Sequence, residues 1–372
     1  MEWGVTGPFN ALPTELLVII FRKLSNEDRG SCCQACKRWR EAIISEPSMW
    51  HKFEVTVHPG WNWKKTRSFF GHKGPRLYLH VRHLVINLDR RAQAPQTVDA
   101  PQANAVLSSV CKLLRALPDD MTLTSFSCSG FKYYNASRDW KSHVICEICK
   151  FLRTQRRFLE KIEITFELLT EEIMKTLVYA CPLLRRFTIP IDLSLQLYPP
   201  NEIPQLTLNE VFDKNPNLRF VYCLTLGDNM YGYFMNLPNY LIRIPVEGLV
   251  VEVSSMHTVP PFVDCYLHLM GTINGNYLTF LELSYVVRGR WCYGPALVTL
   301  VSRCPRLVSI TMKNILLDLE TATAISAFSN NNERGKIKLR VGGICGSSEA
   351  SSNALEEGIR QLKDSLDLQI FM

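Results

Sequence analysis

The 372-residue sequence lacks long hydrophobic runs, since its longest strongly apolar stretch is the six residues Leu16–Phe21. A membrane-spanning helix needs about 20 apolar residues, so the sequence predicts no membrane segment and no membrane partner. The N-terminus also lacks the basic segment followed by an apolar segment that marks a secretory signal. Together these absences predict a protein of the cytosol, the nucleus or both.

Recognisable catalytic motifs are missing as well. The sequence has no Walker-type phosphate loop, no HExxH zinc motif and no GxSxG nucleophile motif. We therefore expect a binding protein that is not an enzyme and that needs no cofactor. With 47% apolar and 21% charged residues, the chain can bury a sizeable core, which excludes a disordered protein.

The 13 cysteines follow no framework, and their number is odd. In a reducing compartment we interpret them as small buried apolar side chains rather than disulfides. Two CxxC pairs, Cys33/Cys36 and Cys146/Cys149, could in principle hold zinc, and His143 lies three residues before the second pair. The two pairs are far apart and each falls in a helical pattern, so we favour core packing and expect no metal site.

Residues 10 to 50 have the pattern of three short helices. Pro13 and Glu15 indicate a helix start, and apolar residues then recur with a helical period as far as Leu24. The polar residues that follow predict a break and the cap of a second helix, and a third segment ends at Trp50. A unit of about forty residues rarely has a sufficient core by itself, so we expect a partner to cover part of its apolar surface.

The order and spacing of these residues resemble the F-box. The matching positions are Leu12-Pro13, Glu15-Leu16-Leu17, Ile20-Phe21, Leu24, Asp28, Cys36-Lys37-Arg38-Trp39-Arg40 and Pro47-Ser48-Met49-Trp50. The resemblance covers residues 10–52 and implies docking onto the Skp adaptor of an SCF (Skp, cullin, F-box) ubiquitin ligase. Two positions depart from the family pattern: Arg29 stands where an apolar residue is usual, and Ala35 stands where Val is common.

The resemblance and the helical period together predict which residues contact the adaptor. An apolar helix face that lies in a groove is a recurrent mode of recognition. The predicted set is Leu12, Pro13, Leu16, Ile20, Phe21, Leu24, Asp28, Trp39 and Trp50. For the two tryptophans an internal core position is the alternative, because aromatic side chains dominate cores and interfaces alike.

From residue 78 onward, one apolar residue followed by two more at the third and fifth positions recurs eight times. The triplets begin 25 to 42 residues apart, and helical patterns lie between them. They are Val81/Leu84/Ile86, Leu123/Phe126/Cys128, Leu159/Ile162/Ile164, Leu184/Phe187/Ile189, Leu218/Val221/Cys223, Val246/Leu249/Val251, Leu278/Leu281/Leu283 and Leu307/Ile310/Met312. A strand and a helix in each unit must stack on neighbouring units, because no single repeat can bury its own face.

This pattern resembles the repeats of F-box proteins with leucine-rich repeats. Pro182, Pro216 and Pro305 each follow a helical stretch just before a strand, where such a repeat needs a turn. The Asn or Cys of a regular repeat is absent three residues after each triplet, so the solenoid should be irregular. We predict an α/β fold with an F-box of three helices at 10–52, a basic aromatic linker or cap at 53–77, and a leucine-rich-repeat-like β/α solenoid at 78–372.

Target recognition is predicted on the loops and the exposed strand positions of this solenoid. Loops on a rigid scaffold carry recognition, and Tyr, Trp and Arg are enriched in binding hot spots. The predicted residues are Phe220, Tyr222, Tyr231, Tyr233, Phe234, Arg290 and Trp291, and Arg186, Phe280 and Lys313 are expected on the same exposed strand face. For each of them, incidental surface or core is the alternative.

Residues 61–92 form a locally basic segment, with eight Lys or Arg and one Asp. Cations alternate there with aromatic residues, as on many nucleic-acid-binding surfaces. We favour a solvated linker that caps the first repeat. An acidic or phosphorylated protein is the second interpretation, and nucleic acid is the third, because cations alone give only sequence-independent affinity.

These observations predict a non-catalytic substrate-recognition subunit of an SCF ubiquitin ligase. The F-box would bind the Skp adaptor and, through it, cullin, whereas the solenoid would bind an unidentified target protein. The main alternative is an adaptor-bound scaffold protein without a ligase role, and an enzyme that uses a Cys/His pair is a distant third.

Overall fold

The computed structural model describes residues 12–58, 61, 77–88, 100–130, 138–192, 203–226, 244–253, 260–291, 294–330, 336–346 and 352–370. The chain divides into two compact units. The first comprises residues 1–163 and 172–184, and the second comprises residues 164–171 and 185–372. Among the described helices, none combines the length and the apolar character that crossing a membrane requires.

Three α-helices and a 3-10 helix open the first unit. They are α1 (Thr14–Arg22), α2 (Asn26–Ala35), α3 (Lys37–Ile44) and the 3-10 helix Pro47–Trp50. The Ser25 hydroxyl caps the start of α2, and the Cys36 sulfur accepts the backbone N–H of Trp39 at the start of α3. The helical character of this N-terminal unit is confirmed, but the helix breaks at Cys36, so that Trp39 belongs to a third α-helix and the segment ending at Trp50 is a fourth element. Its core consists of Leu17, Phe21, Ala42, Ile43, Met49 and Trp50.

Four strands and three further helices complete the first unit. The strands are β1 (Lys52–Val57), β2 (His83–Leu88), β3 (Ser125–Ser129) and β4 (Lys161–Ile164), and they neighbour one another in chain order. The helices are α4 (Ala100–Ala116), α5 (Arg138–Gln155) and α6 (Glu171–Ala180). β1 pairs with β2 and β2 with β3 as parallel strands.

The solenoid begins earlier in the chain than the sequence predicts. β1 occupies the first residues of the predicted linker at 53–77 and pairs with β2 from Lys52 to Val57. Its residues alternate between exposed and buried along the whole strand, which is the pattern of a half-buried strand. The boundary between F-box and repeats is therefore at about residue 52, with no linker before the first strand.

The second unit continues the same architecture with seven strands in chain order. They are β5 (Arg186–Asp192), β6 (Arg219–Leu226), β7 (Val246–Val253), β8 (Phe280–Trp291), β9 (Ser309–Asp318), β10 (Lys338–Cys345) and β11 (Asp367–Ile370). All six neighbouring pairs are parallel. The helices are α7 (Gln205–Lys214), α8 (Pro260–Asn274), α9 (Gly294–Arg303), α10 (Leu319–Asn330) and α11 (Ser352–Ser365).

The repeat pattern explains this topology. Seven of the eight triplets are buried at all three positions, so one face of each strand packs inward and the other remains more open. Because each strand is followed by a helical return, successive strands lie side by side and parallel. The α/β class and the leucine-rich-repeat-like β/α solenoid are thereby confirmed.

For β6 the predicted phase is wrong. Phe220 and Tyr222, expected on the exposed face, are 0% and 1% exposed. The parallel register places Phe220 beside Phe187 and Tyr222 beside Ile189, and both of these partners are buried. Phe220 and Tyr222 therefore belong to the core, which corrects their prediction as target-binding residues.

The cause is one residue fewer in the turn before β6. A single residue separates Leu218 from Phe220, whereas two residues separate Leu184 from Phe187 at the equivalent place before β5. Because side chains alternate between the faces of a strand, a shift by one residue exchanges the two faces. The second and third members of the predicted β6 triplet consequently lie on the more open face.

Candidate protein-binding site

Helix α1 divides its apolar residues between two faces. Leu17 and Phe21 are 1% and 2% exposed and belong to the core of the three-helix unit. Leu16, Ile19 and Ile20 are 45%, 54% and 39% exposed. Residues three and four positions apart share one side of a helix, so these three side chains form a continuous surface, the α1 apolar face.

Two aromatic residues predicted to contact the adaptor lie in the core of the unit. Phe21 packs against Trp39 with ring centroids 5.5 Å apart, so the expectation that Phe21 lies on the outer surface is wrong. Trp50 is 3% exposed, and its indole N–H donates to the Ile43 carbonyl at 3.1 Å. The core interpretation therefore holds for Trp50, while Trp39 is half-buried against the same core.

The remaining predicted contacts lie around the ends of α1 and α2. Leu12 and Leu24 are partly buried against the core, and Pro13 is exposed at the start of α1. The Asp28 carboxylate accepts the Ser25 hydroxyl at 2.7 Å, while the Asp28 backbone N–H donates to Ser25 Oγ at 3.0 Å. Asp28 therefore stabilises the start of α2 through a reciprocal cap.

Arg29 has a role that the sequence does not indicate. Its side chain is buried, and it donates from Nε to the Phe21 carbonyl at 2.9 Å, from Nη2 to the Arg22 carbonyl at 3.1 Å and from Nη1 to the Met49 carbonyl. Burial lowers the pKa of this guanidinium. The last carbonyls of a helix have no partner within it, so Arg29 satisfies the end of α1 and ties it to the 3-10 helix.

A comparison with protein families identifies this region. A family model described as F-box-like matches residues 9–55. Residues 9–55 are an F-box-like domain. The α1 apolar face and the Arg29 anchor both belong to this domain, and its C-terminal residues include the start of β1.

Other comparisons add little. No curated protein matches the sequence. One matching solved structure, titled "Crystal structure of TLR13-ssRNA13 complex", has 12% sequence identity and a TM-score of 0.31, and the match covers 75% of this chain. The match spans 38% of the length of that neighbour, and a likeness of this size shows nothing about binding.

For most of the predicted target-binding residues the structure describes no side chain. Tyr231, Tyr233 and Phe234 fall outside the described residues, and Arg290 and Trp291 belong to β8 with their side chains outside the description. Residues 62–76 of the basic segment are also outside it. Arg186, Phe280 and Lys313 do lie on the more open strand face of the second unit, as expected.

Two of the four CxxC cysteines have a capping or a packing role. Cys36 caps α3 through its sulfur, and Cys149 is fully buried, which raises the pKa of its thiol to about 11. A thiol with that pKa stays protonated at neutral pH and is a poor metal ligand. Within the described ranges, no three His, Cys, Asp or Glu side chains come close enough to hold a metal ion.

Proposed function

We propose that this chain is the substrate-recognition subunit of an SCF ubiquitin ligase. Its F-box-like domain binds the Skp adaptor and, through it, cullin, and its solenoid binds a target protein. The α1 apolar face carries this proposal, because it is a surface of three large apolar side chains on a domain type that generally binds this adaptor. Leu16, Ile19 and Ile20 do not belong to the core cluster behind that face.

The size of the exposed surface fits a helix-in-groove contact. Fully burying a Leu or Ile side chain contributes about 1.5–3 kcal/mol, and Leu16, Ile19 and Ile20 are each roughly half exposed. Covering all three would thus contribute on the order of 2–4 kcal/mol. This is about 1 kcal/mol for each of the three residues, a moderate contribution to an interface.

The proposed role requires no chemistry from this chain. A receptor subunit raises the effective concentration of the target beside a ubiquitin-charged enzyme, so that an encounter in solution becomes a tethered one. The rate gain comes from proximity and orientation, and the reacting groups belong to other subunits.

The test is a double substitution on the α1 apolar face, Leu16→Asp with Ile20→Asp. Both side chains are exposed, so the domain should stay folded, whereas two carboxylates at the adaptor interface would lose their hydration. We expect adaptor and cullin to be absent from material co-purified with this variant. Circular dichroism verifies the fold.

A matched control replaces two exposed apolar residues outside the domain, Leu206→Asp with Tyr277→Asp. These side chains are 80% and 50% exposed, so the change in charge and in exposed apolar area is similar. The control should retain the adaptor. Undiminished adaptor recovery with the α1 variant would refute the proposed function.

A further inference from the structure

Exposed arginines lie side by side where β5 and β6 begin. Arg186 and Arg219 are register partners on neighbouring parallel strands, and Arg185 is exposed directly before them. Adjacent strands are about 4.8 Å apart, so the backbone positions of these two partners are close together. Arg219 Nη1 donates to the Pro216 carbonyl at 2.7 Å and to the Leu218 carbonyl at 3.3 Å, and among the described residues its other guanidinium N–H groups remain available. In the part of the second unit that the structure describes, no carboxylate lies within ion-pair distance of any of the three.

Beyond the arginines, the same strand face becomes apolar. Val221 of β6 lies beside Gly248 of β7, which lies beside Phe280 of β8. Two residues further along β6 and β7, on the same face, Cys223 lies beside Val250. These five residues form an apolar strip across three adjacent strands.

Within this strip, the Phe280 ring lies over Gly248. A Cβ atom built on Gly248 would lie 2.0 Å from Phe280 Cζ, so the ring occupies the place of the missing side chain. The Arg186 guanidinium carbon lies 5.8 Å from the centroid of the same ring, which is within the range of a cation–π contact. The guanidinium is thus held over an apolar floor, and a guanidinium there can bind a carboxylate with two hydrogen bonds.

The charge reverses at the other end of the strip. Glu252 of β7 is exposed and lies beside Thr225 and Ser284, and Glu282 is already paired with Lys313. The path along β6 from Arg219 to Thr225 corresponds to about six residues of an extended peptide. A polyanion such as a nucleic acid would meet Glu252 and Glu282 along this path, which disfavours it.

We propose that this strand face binds an extended peptide segment of a target protein, with Asp or Glu at the Arg186/Arg219 end and apolar side chains over the strip. This inference rests on the proposed function in one respect only, which is that it calls the bound protein a target of the ligase. Two arginine–carboxylate pairs provide orientation, and burial of apolar side chains on Phe280, Val250 and Cys223 provides affinity.

The experiment selects peptides from a phage-displayed library of random dodecapeptides on the purified full-length chain. Recovered peptides should combine acidic residues at one end with apolar residues after them. A synthetic peptide with the enriched sequence is then measured by fluorescence polarisation against Arg186→Glu with Arg219→Glu. We expect its dissociation constant to rise by about tenfold or more.

The matched control carries the same charge change at two exposed cations before other strands, Arg306→Glu with Lys336→Glu. It should bind within about twofold of the unmodified chain, because distant exposed charges are screened by salt. A second variant, Gly248→Ala, keeps both arginines and displaces the Phe280 ring, and it should also weaken binding. Circular dichroism and thermal unfolding verify the fold of each variant.

Several outcomes would overturn the inference. They are a library that yields no binding peptide, enriched peptides without acidic residues, and equal binding by the arginine variant and its control. The adaptor plays no part in this measurement. Failure of adaptor binding would therefore refute the proposed function and leave this inference standing. Failure of peptide binding would refute this inference and leave the proposed function standing.

Discussion

Glu147 of α5 pairs with two cations, one of which, Arg115, belongs to the neighbouring helix α4. Its carboxylate accepts Arg115 Nε at 2.9 Å and Nη2 at 3.0 Å from α4, and Lys150 Nζ at 2.9 Å from its own helix, α5. The Glu147 side chain is 6% exposed. These hydrogen bonds, first of all those from Arg115, lower the pKa of Glu147 to about 2.

Replacing Glu147 by Gln should therefore destabilise the chain in a pH-dependent way. Since the folded pKa of about 2 lies below the ordinary value of 4.5, the carboxylate stabilises the fold above pH 4.5, and this contribution is lost as pH falls towards 2. Because Arg115 and Lys150 are themselves exposed, we expect a loss of only about 1–2 kcal/mol in the free energy of unfolding at pH 7. Urea denaturation between pH 2 and pH 7 measures this loss.

The exposed Glu356 of α11 provides the control. Glu356→Gln should leave the free energy of unfolding within about 0.5 kcal/mol at every pH. If the difference between Glu147→Gln and the unmodified chain stayed constant down to pH 2, the ion pair would not be its source.

Arg29 leads to a second prediction at the scale of single residues. Arg29→Met restores the apolar character usual at this position of the F-box, yet it removes the donor to the carbonyls of Arg22 and Met49, while the Phe21 carbonyl keeps the backbone N–H of Leu24. Leaving buried carbonyls unbonded should cost about 2–4 kcal/mol, and hydrogen exchange should accelerate in α1 and the 3-10 helix. Arg40→Met, which removes one exposed hydrogen bond to the Cys33 carbonyl, is the control and should cost under about 1 kcal/mol.

The sequence alone could not identify this role of Arg29. An arginine at an apolar position looks like a weakened F-box, and only the folded chain shows carbonyls from two elements converging on one guanidinium. The sequence also identified the α1 apolar face only in part, for a related reason. Every residue from Leu16 to Phe21 is apolar, so hydrophobicity by itself does not distinguish the inner side of the helix from the outer side.

At the scale of elements, the repeat pattern predicts most strands with their correct phase. Alternation of buried and open positions was sufficient to predict the phase of a strand wherever the turn before it had the same length as in the other repeats. It failed at β6, where the turn is one residue shorter. It also missed β1, although Trp50, Phe53 and Val55 are buried and have the triplet spacing, because Trp50 was assigned to the F-box. Turn lengths depend on backbone geometry that hydrophobic periodicity does not encode.

The phase of β6 can be tested directly. Phe220 is fully buried between Phe187 and Phe212, with ring centroids 5.6 Å and 5.5 Å away. Phe220→Ala should therefore lower the free energy of unfolding by about 3–5 kcal/mol. Cys223→Ala, on the more open face, should lower it by less than about 1 kcal/mol. Urea denaturation that ranks the two variants in the opposite order would contradict the register.

At the scale of the whole molecule, adaptor binding and target binding are proposed for different units of the chain. Deleting the F-box would be a poor test of this separation, because β1 follows that domain directly and Leu77 packs against its core. Point variants avoid the difficulty. The α1 variant changes only exposed side chains of the first unit, and the arginine variant changes only exposed side chains of the second.

Expressed in cells, the two variants should differ in a defined way. The α1 variant should keep target proteins but lose adaptor and cullin, so it shields its targets and lengthens their lifetimes. The arginine variant should keep adaptor and cullin and lose the same targets. Quantitative proteomics of co-purified proteins, combined with pulse-chase lifetimes, identifies proteins that satisfy both criteria. If the proteins bound by the α1 variant show unchanged lifetimes, the chain delivers nothing for degradation, and an adaptor-bound scaffold becomes the better description.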